Sequence, residues 1–133
     1  MEGQQLEFLV VRYVPNLLRG EFINIGIILH QVGAASGDAV VRFTRDWHRV
    51  LCLDPEADIE MLEALEVDIR EQFTEGAEQA SSLIEAFQQQ LSNSVQISQP
   101  SAMLAESLER GVERLMAMYV DAPRTVARIS EAG

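Results

Sequence analysis

The sequence predicts an α+β fold: a two-layer sandwich in which a mainly antiparallel sheet packs against amphipathic helices. Two observations predict it. The first half holds apolar runs rich in β-branched and aromatic residues, at 6–14, 21–31 and 39–44. After Trp47 the apolar residues recur instead at three- and four-residue spacing, the period of a helix packed by one face. The order of elements reads β-β-β-α-α-β-α.

Residues 6–14 form the first strand, which Pro15 stops because it cannot donate to a ladder. The second strand carries Phe22, Ile23, Ile25, Ile27, Ile28 and Leu29. Between them Pro15 and Gly20 bracket a short loop, giving a hairpin. Both strands are apolar on both faces, so they belong in the sheet interior, covered on at least part of each face. Gly26 within the second strand marks a bulge or a close contact rather than a phosphate loop, since no Gly-x-Gly-x-x-Gly or Gly-Lys-Ser/Thr run is present. Gly33 to Asp38 is a turn, and Ala39 to Thr44 returns antiparallel to the second strand.

Asp54-Pro55-Glu56 has the composition of a helix start, with Asp54 as the cap. Ile59, Leu62, Leu65, Ile69 and Phe73 continue the helix, and Gly76 ends it. A second helix is expected over 77–91, with the Gln88-Gln89-Gln90 run at its exposed end. A short strand follows at 94–98, then a third helix over 102–120 that Pro123 ends. The chain of 133 residues reads as a single domain, β-rich over 6–53, helical and acidic over 54–122, with a tail over 123–133.

Charge narrows the function classes. All ten basic side chains are arginine, and the net charge is −11. Residues 1–53 balance, whereas residues 54–133 are strongly acidic. An acidic surface repels phosphate backbones and anionic headgroups, so neither nucleic acid nor a membrane is an expected partner. No uncharged apolar run is long enough to span a bilayer, and the N-terminus lacks the basic and apolar regions of a secretory signal. A single cysteine suits a reducing cytoplasm. Cys52 lies between Leu51 and Leu53 and reads as a small buried hydrophobe, although His48 is four residues away. The acids from Asp54 to Glu75 spread around a helix without a calcium-loop spacing, and they read as a solvated face. No metal set and no cofactor motif emerges. Arg42, Arg45 and Arg49 surround Trp47 in a basic patch; Trp47 is expected to cap the core and the arginines to pair with the acidic helix.

The polar residues that stand out in the hairpin are Arg12, Tyr13, Arg19, Glu21 and Asn24. A guanidinium and a carboxamide at a strand end suit forked hydrogen bonds to a carboxylate or phosphate, and Tyr13 suits stacking on a planar ligand. Glu21 would orient Arg12 or Arg19. A purely structural role competes with this: a buried arginine–carboxylate pair locking the hairpin, with Asn24 bonding backbone at a bulge beside Gly26.

These residues also carry a resemblance. Arg12-Tyr13-x-Pro15 followed by Arg19-Gly20-Glu21-Phe22-x-Asn24-Ile25-Gly26 resembles the N-terminal hallmark of an uncharacterised bacterial domain-of-unknown-function family. The block from Leu91 to Pro100 and the Leu115-x-x-x-Tyr119-Val120 segment are similar to later parts of that family. The resemblance implies a small cytoplasmic protein encoded beside a HipA-like kinase, which points to a protein partner. It implies no activity and assigns no residue roles. With no nucleophile–base pair, metal set or cofactor loop, the chain is expected to be a non-enzymatic binding or regulatory module acting through a protein partner. The alternative is a binder of small anionic ligands, or an enzyme, using the Arg12, Arg19, Glu21 and Asn24 region.

Overall fold

The computed structural model describes residues 3–16, 20–31, 39–75 and 94–121. Its sheet begins with a long hairpin, β1 (Gln4–Asn16) and β2 (Glu21–Gln31), and β3 (Ala39–Phe43) pairs antiparallel with β2. Two helices follow β3: the short α1 (His48–Leu53), then the longer α2 (Ile59–Glu75). Then come β4 (Val95–Ile97), β5 (Ser101–Ala105) and α3 (Leu108–Leu115), which runs on into a π-helical turn, Met116–Val120. The fold is α+β with an antiparallel sheet, as the sequence implies.

The sheet order is β3-β2-β1-β4, with β5 also on β1, so β1 and β2 occupy the interior. β4 and β5 share the outer side of β1. β4 lies against Val11–Tyr13 and β5 against Gln4–Phe8. Ser98 bridges the gap between them, its N–H donating to Val10 O and its Oγ accepting from Val10 N.

Alternation along β1 sends side chains to two separate cores. Leu9, Val11 and Tyr13 meet Ile28, Phe43, Trp47, Val50 of α1, and Leu62 and Ile69 of α2. Leu6, Phe8 and Val10 meet Ile27, Leu29, and Val112, Leu115 and Val120 of α3 and its π turn. Helices therefore cover both faces, and the sheet is a middle layer where the sequence suggested a two-layer stack. The two-sided apolarity of β1 and β2 already required cover on each face.

A register shift divides the hairpin. Val11 pairs with Gly26 but Arg12 pairs with Asn24, so Ile25 is an extra residue on β2. The adjacent Gly26 is needed for packing: a Cβ there would lie 2.3 Å from Cδ1 of Phe43. Gly20, with φ +70°, turns the chain into β2 in a region that side chains avoid.

The outer edge of β3 is closed by side chains. Glu66 of α2 is buried, and its carboxylate accepts from Phe43 N at 3.0 Å, Arg45 Nη1 at 3.0 Å and Arg70 Nη2 at 2.8 Å. Arg70 also donates to Val41 O at 3.0 Å. Arg45 thus pairs with the acidic helix as the charge pattern implies. Glu66, however, departs from the solvated face expected of the acids, because it lies on the inner stripe between Leu62 and Ile69. Trp47 caps this core and donates Nε1–H to Glu63.

Three expectations are corrected. The helix expected over 102–120 begins only at Leu108; Ser101–Ala105 is a strand, because the outer side of β1 needs a ladder partner. Ser107 caps α3 by accepting from Arg110 N at 3.1 Å, and Leu104, inside the range expected to be helical, is a strand residue 60% exposed. Asp54 does not start α2. Its Oδ1 accepts from Glu56 N in a turn, and Asp58 caps the helix by accepting from Met61 N. The two motifs share the same Asp-to-amide bond, so their sequences look alike. Cys52 is exposed, on the outer side of α1, with Sγ 3.4 Å from His48 Nε2. The helix expected over 77–91 and the turn over 33–38 lie outside the described residues.

Three substitutions test this packing. Gly26→Ala should lower the unfolding free energy by about 1–3 kcal/mol through the clash with Phe43, and Phe43→Leu should recover part of that loss in the double variant. Glu66→Leu should cost roughly 2–4 kcal/mol, because it leaves Phe43 N–H without its partner and separates two guanidiniums from their shared carboxylate. Urea denaturation of the parent, the three single variants and the double variant measures both effects.

Candidate functional site

The bulge at Ile25 decides which hallmark residues meet. Without it Arg12 would face Ile25, and Asn24 would fall on the other side of the sheet. With it Arg12 and Asn24 are direct cross-strand partners on the face that carries Phe8 and Val10. Phe22, two residues before Asn24, shares that face, and its ring centroid lies 4.7 Å from the Arg12 guanidinium carbon. Tyr119 of the π turn closes the group: its carbonyl accepts from Asn24 Nδ2 at 3.0 Å, and its ring lies 5.6 Å from that of Phe8.

The π turn gives Asn24 a structural task. Asp121 N–H closes the turn on Met116 O, which leaves the last carbonyls of the helix to other donors. Asn24 takes Tyr119 O, and Arg49 takes Val120 O. Because Nδ2 must face that carbonyl, the Asn24 amide has one orientation, and Oδ1 points away from Tyr119. Oδ1 is buried and has no hydrogen-bond partner, and the same is true of Arg12 Nε. Each such atom costs about 1–3 kcal/mol of lost hydration. Two of them fall on directly opposed residues, so this part of the hairpin carries an uncompensated polar pair.

The other hallmark residues go elsewhere. Tyr13 lies on the opposite face, buried, and its hydroxyl donates to Asp54 Oδ2 at 2.6 Å. It ties the loop after α1 to the sheet and does not join Arg12. Burial pushes its pKa up to about 12, and the hydrogen bond and charge of Asp54, with Asp58 beyond, add to the shift. Glu21 opens β2 opposite Asn16, so the register sets Arg12 against Asn24 rather than Glu21. Arg19 lies outside the described residues. Phe22 and Tyr119 are not among the polar residues that the sequence singles out; Phe22 appears there as a strand residue, and both fall within the family-like segments. The available signal was Phe22 at the two-residue spacing from Asn24 that shares a strand face.

Among the described residues no group of His, Cys, Asp and Glu is placed to hold a metal ion. No described helix is long and apolar enough to cross a membrane.

The Tyr13–Asp54 bond predicts a pH effect. The folded protein holds the phenol proton up to about pH 12, whereas an unfolded tyrosine releases it near 10.0. Its stabilisation is complete below pH 10 and is lost as pH rises from about 10 to about 12. The chain has no lysine, so few other side chains titrate in that window. Tyr13→Phe should cost roughly 1.5–3 kcal/mol at neutral pH and flatten the alkaline decline. Denaturant melts of both proteins between pH 8 and about 12 read the difference.

No curated protein matches the chain, and no solved structure does. One family model matches over residues 8–120, from the first strand through the π turn, and it is described as a protein of unknown function (DUF3037). The matched span takes in Arg12, Phe22, Asn24 and Tyr119 together, and the chain belongs to the DUF3037 family.

Proposed function

We propose that this protein is a non-enzymatic binding or regulatory module of the cytoplasm that acts through a protein partner. The observation that carries the reading is the Arg12–Phe22–Asn24–Tyr119 group. Phe22 is 51% exposed and lies against the Arg12 guanidinium, and Tyr119 is 38% exposed and meets Asn24 through its carbonyl. Large aromatics and arginine are the residue types that concentrate binding energy at protein interfaces. The polar atoms between them lack partners in the free chain, so a bound segment has hydration losses to recover.

The resemblance to a family encoded beside HipA-like kinases supplies the first partner to test. A small anionic ligand, or an enzyme built on Arg12, Arg19, Glu21 and Asn24, is less well supported. The unpartnered atom of Asn24 is an acceptor, which opposes an anion, and Glu21 and Tyr13 do not converge on Arg12.

The test is capture of partner from the native host and titration against a purified HipA-like kinase. Phe22→Ser and Tyr119→Ser should each weaken binding by roughly 30-fold, as hot-spot truncations do, while leaving the melting temperature close to that of the parent. Unchanged affinity in both variants would rule out this face as the docking surface.

A further inference from the structure

Arg12 and Asn24 face each other across the ladder, and the unpartnered atom that each carries specifies a chemical group. We propose that Arg12 Nε and Asn24 Oδ1 form a two-point site for an uncharged amide, either a peptide bond or a side-chain carboxamide of the partner. This rests on the partner reading above and names what that partner presents.

The argument is one of complementary polarity. Arg12 Nε–H can only donate, and Asn24 Oδ1 can only accept. The Asn24 amide cannot flip to reverse this, because its Nδ2 is held by Tyr119 O at 3.0 Å. A ligand that satisfies both atoms must therefore offer an acceptor and a donor side by side. An amide does so with its C=O and N–H. A carboxylate or phosphate offers acceptors alone and would set negative charge against Oδ1. An ammonium or guanidinium offers donors alone and would meet the charge of Arg12. The flanking ring of Phe22 also favours a flat group over a hydroxyl.

Access runs past Phe22. Both polar atoms are shut off from solvent, while the Phe22 ring over the guanidinium is half exposed. Rotation of that ring into solvent would open the side of the Arg12 guanidinium without disturbing the ladder between β1 and β2.

The experiment uses the full chain and small probes, so it needs no partner. N-methylacetamide is titrated into ¹⁵N-labelled protein while the arginine Nε–H resonances are followed. Sodium acetate at matched ionic strength serves as the anionic control. The Arg12 signal is identified by its absence in Arg12→Lys. The expected result is a saturable shift of that signal with N-methylacetamide and none with acetate. In Asn24→Leu the amide affinity should fall roughly tenfold. An equal response to acetate, or no saturable response in the parent protein, overturns the amide assignment, and the parent titration alone decides this if a variant fails to fold. Amide binding in a protein whose Phe22 and Tyr119 variants still capture partner upholds this inference and rejects only the docking reading.

Discussion

At Ile25 the second strand carries one residue more than its neighbour, and the consequences reach both faces of the sheet. On one face the extra residue adds Ile25 to the core beneath α1 and α2, beside the place where Gly26 leaves room for the Phe43 ring. On the other it turns Asn24 toward Arg12 and the π turn. A β-strand has only two directions for its side chains, so a single inserted residue reassigns every position beyond it. Arg12 and Asn24 meet because of that reassignment. Gly26 is its steric condition, since any larger residue there pushes against the ring that packs the bulge from the neighbouring strand.

This constraint explains what was legible in the sequence and what was not. Apolar character survives a bulge, so the two central strands, their hairpin and their antiparallel neighbour could be read from residues 6–44. Gly26 could be marked as a bulge or a close approach, and it is beside one and party to the other. Which polar residues face one another could not be read, because partnership depends on a register that no residue type announces. Tyr13 looked like a neighbour of Arg12 in function as in sequence; adjacent residues on a strand point apart, and it belongs to the other core. The short strand β5 was hidden for a different reason. Ala102, Met103 and Leu104 are good helix formers, and only the unfilled side of β1, a demand made by distant residues, turns them into a strand.

Asn24 shows how a residue can serve structure and recognition at once. One end of its amide finishes a helix whose π turn leaves a carbonyl to be satisfied, and that duty fixes the direction of the other end. The unpartnered oxygen is then a by-product of good local structure rather than a defect of it. Arg12 stands in a similar position: its guanidinium is held against Phe22 while Nε remains without an acceptor. Held polar groups with unused capacity are pre-organised, and pre-organisation lowers the ordering cost of any association that uses them.

The buried carboxylate of Glu66 has a meaning beyond the strength of its bonds. A sheet margin normally exposes a row of amides and carbonyls that will accept any extended chain, which is how native proteins come to stack into aggregates. Here Phe43 N–H is taken by Glu66, Val41 O by Arg70, and Phe43 O by Arg45. Between Val41 and Phe43 a passing strand would have to displace these side chains before it could pair. The guard is concentrated at the end of β3 nearest α2, so the same carboxylate that anchors the helix also discourages edge pairing there.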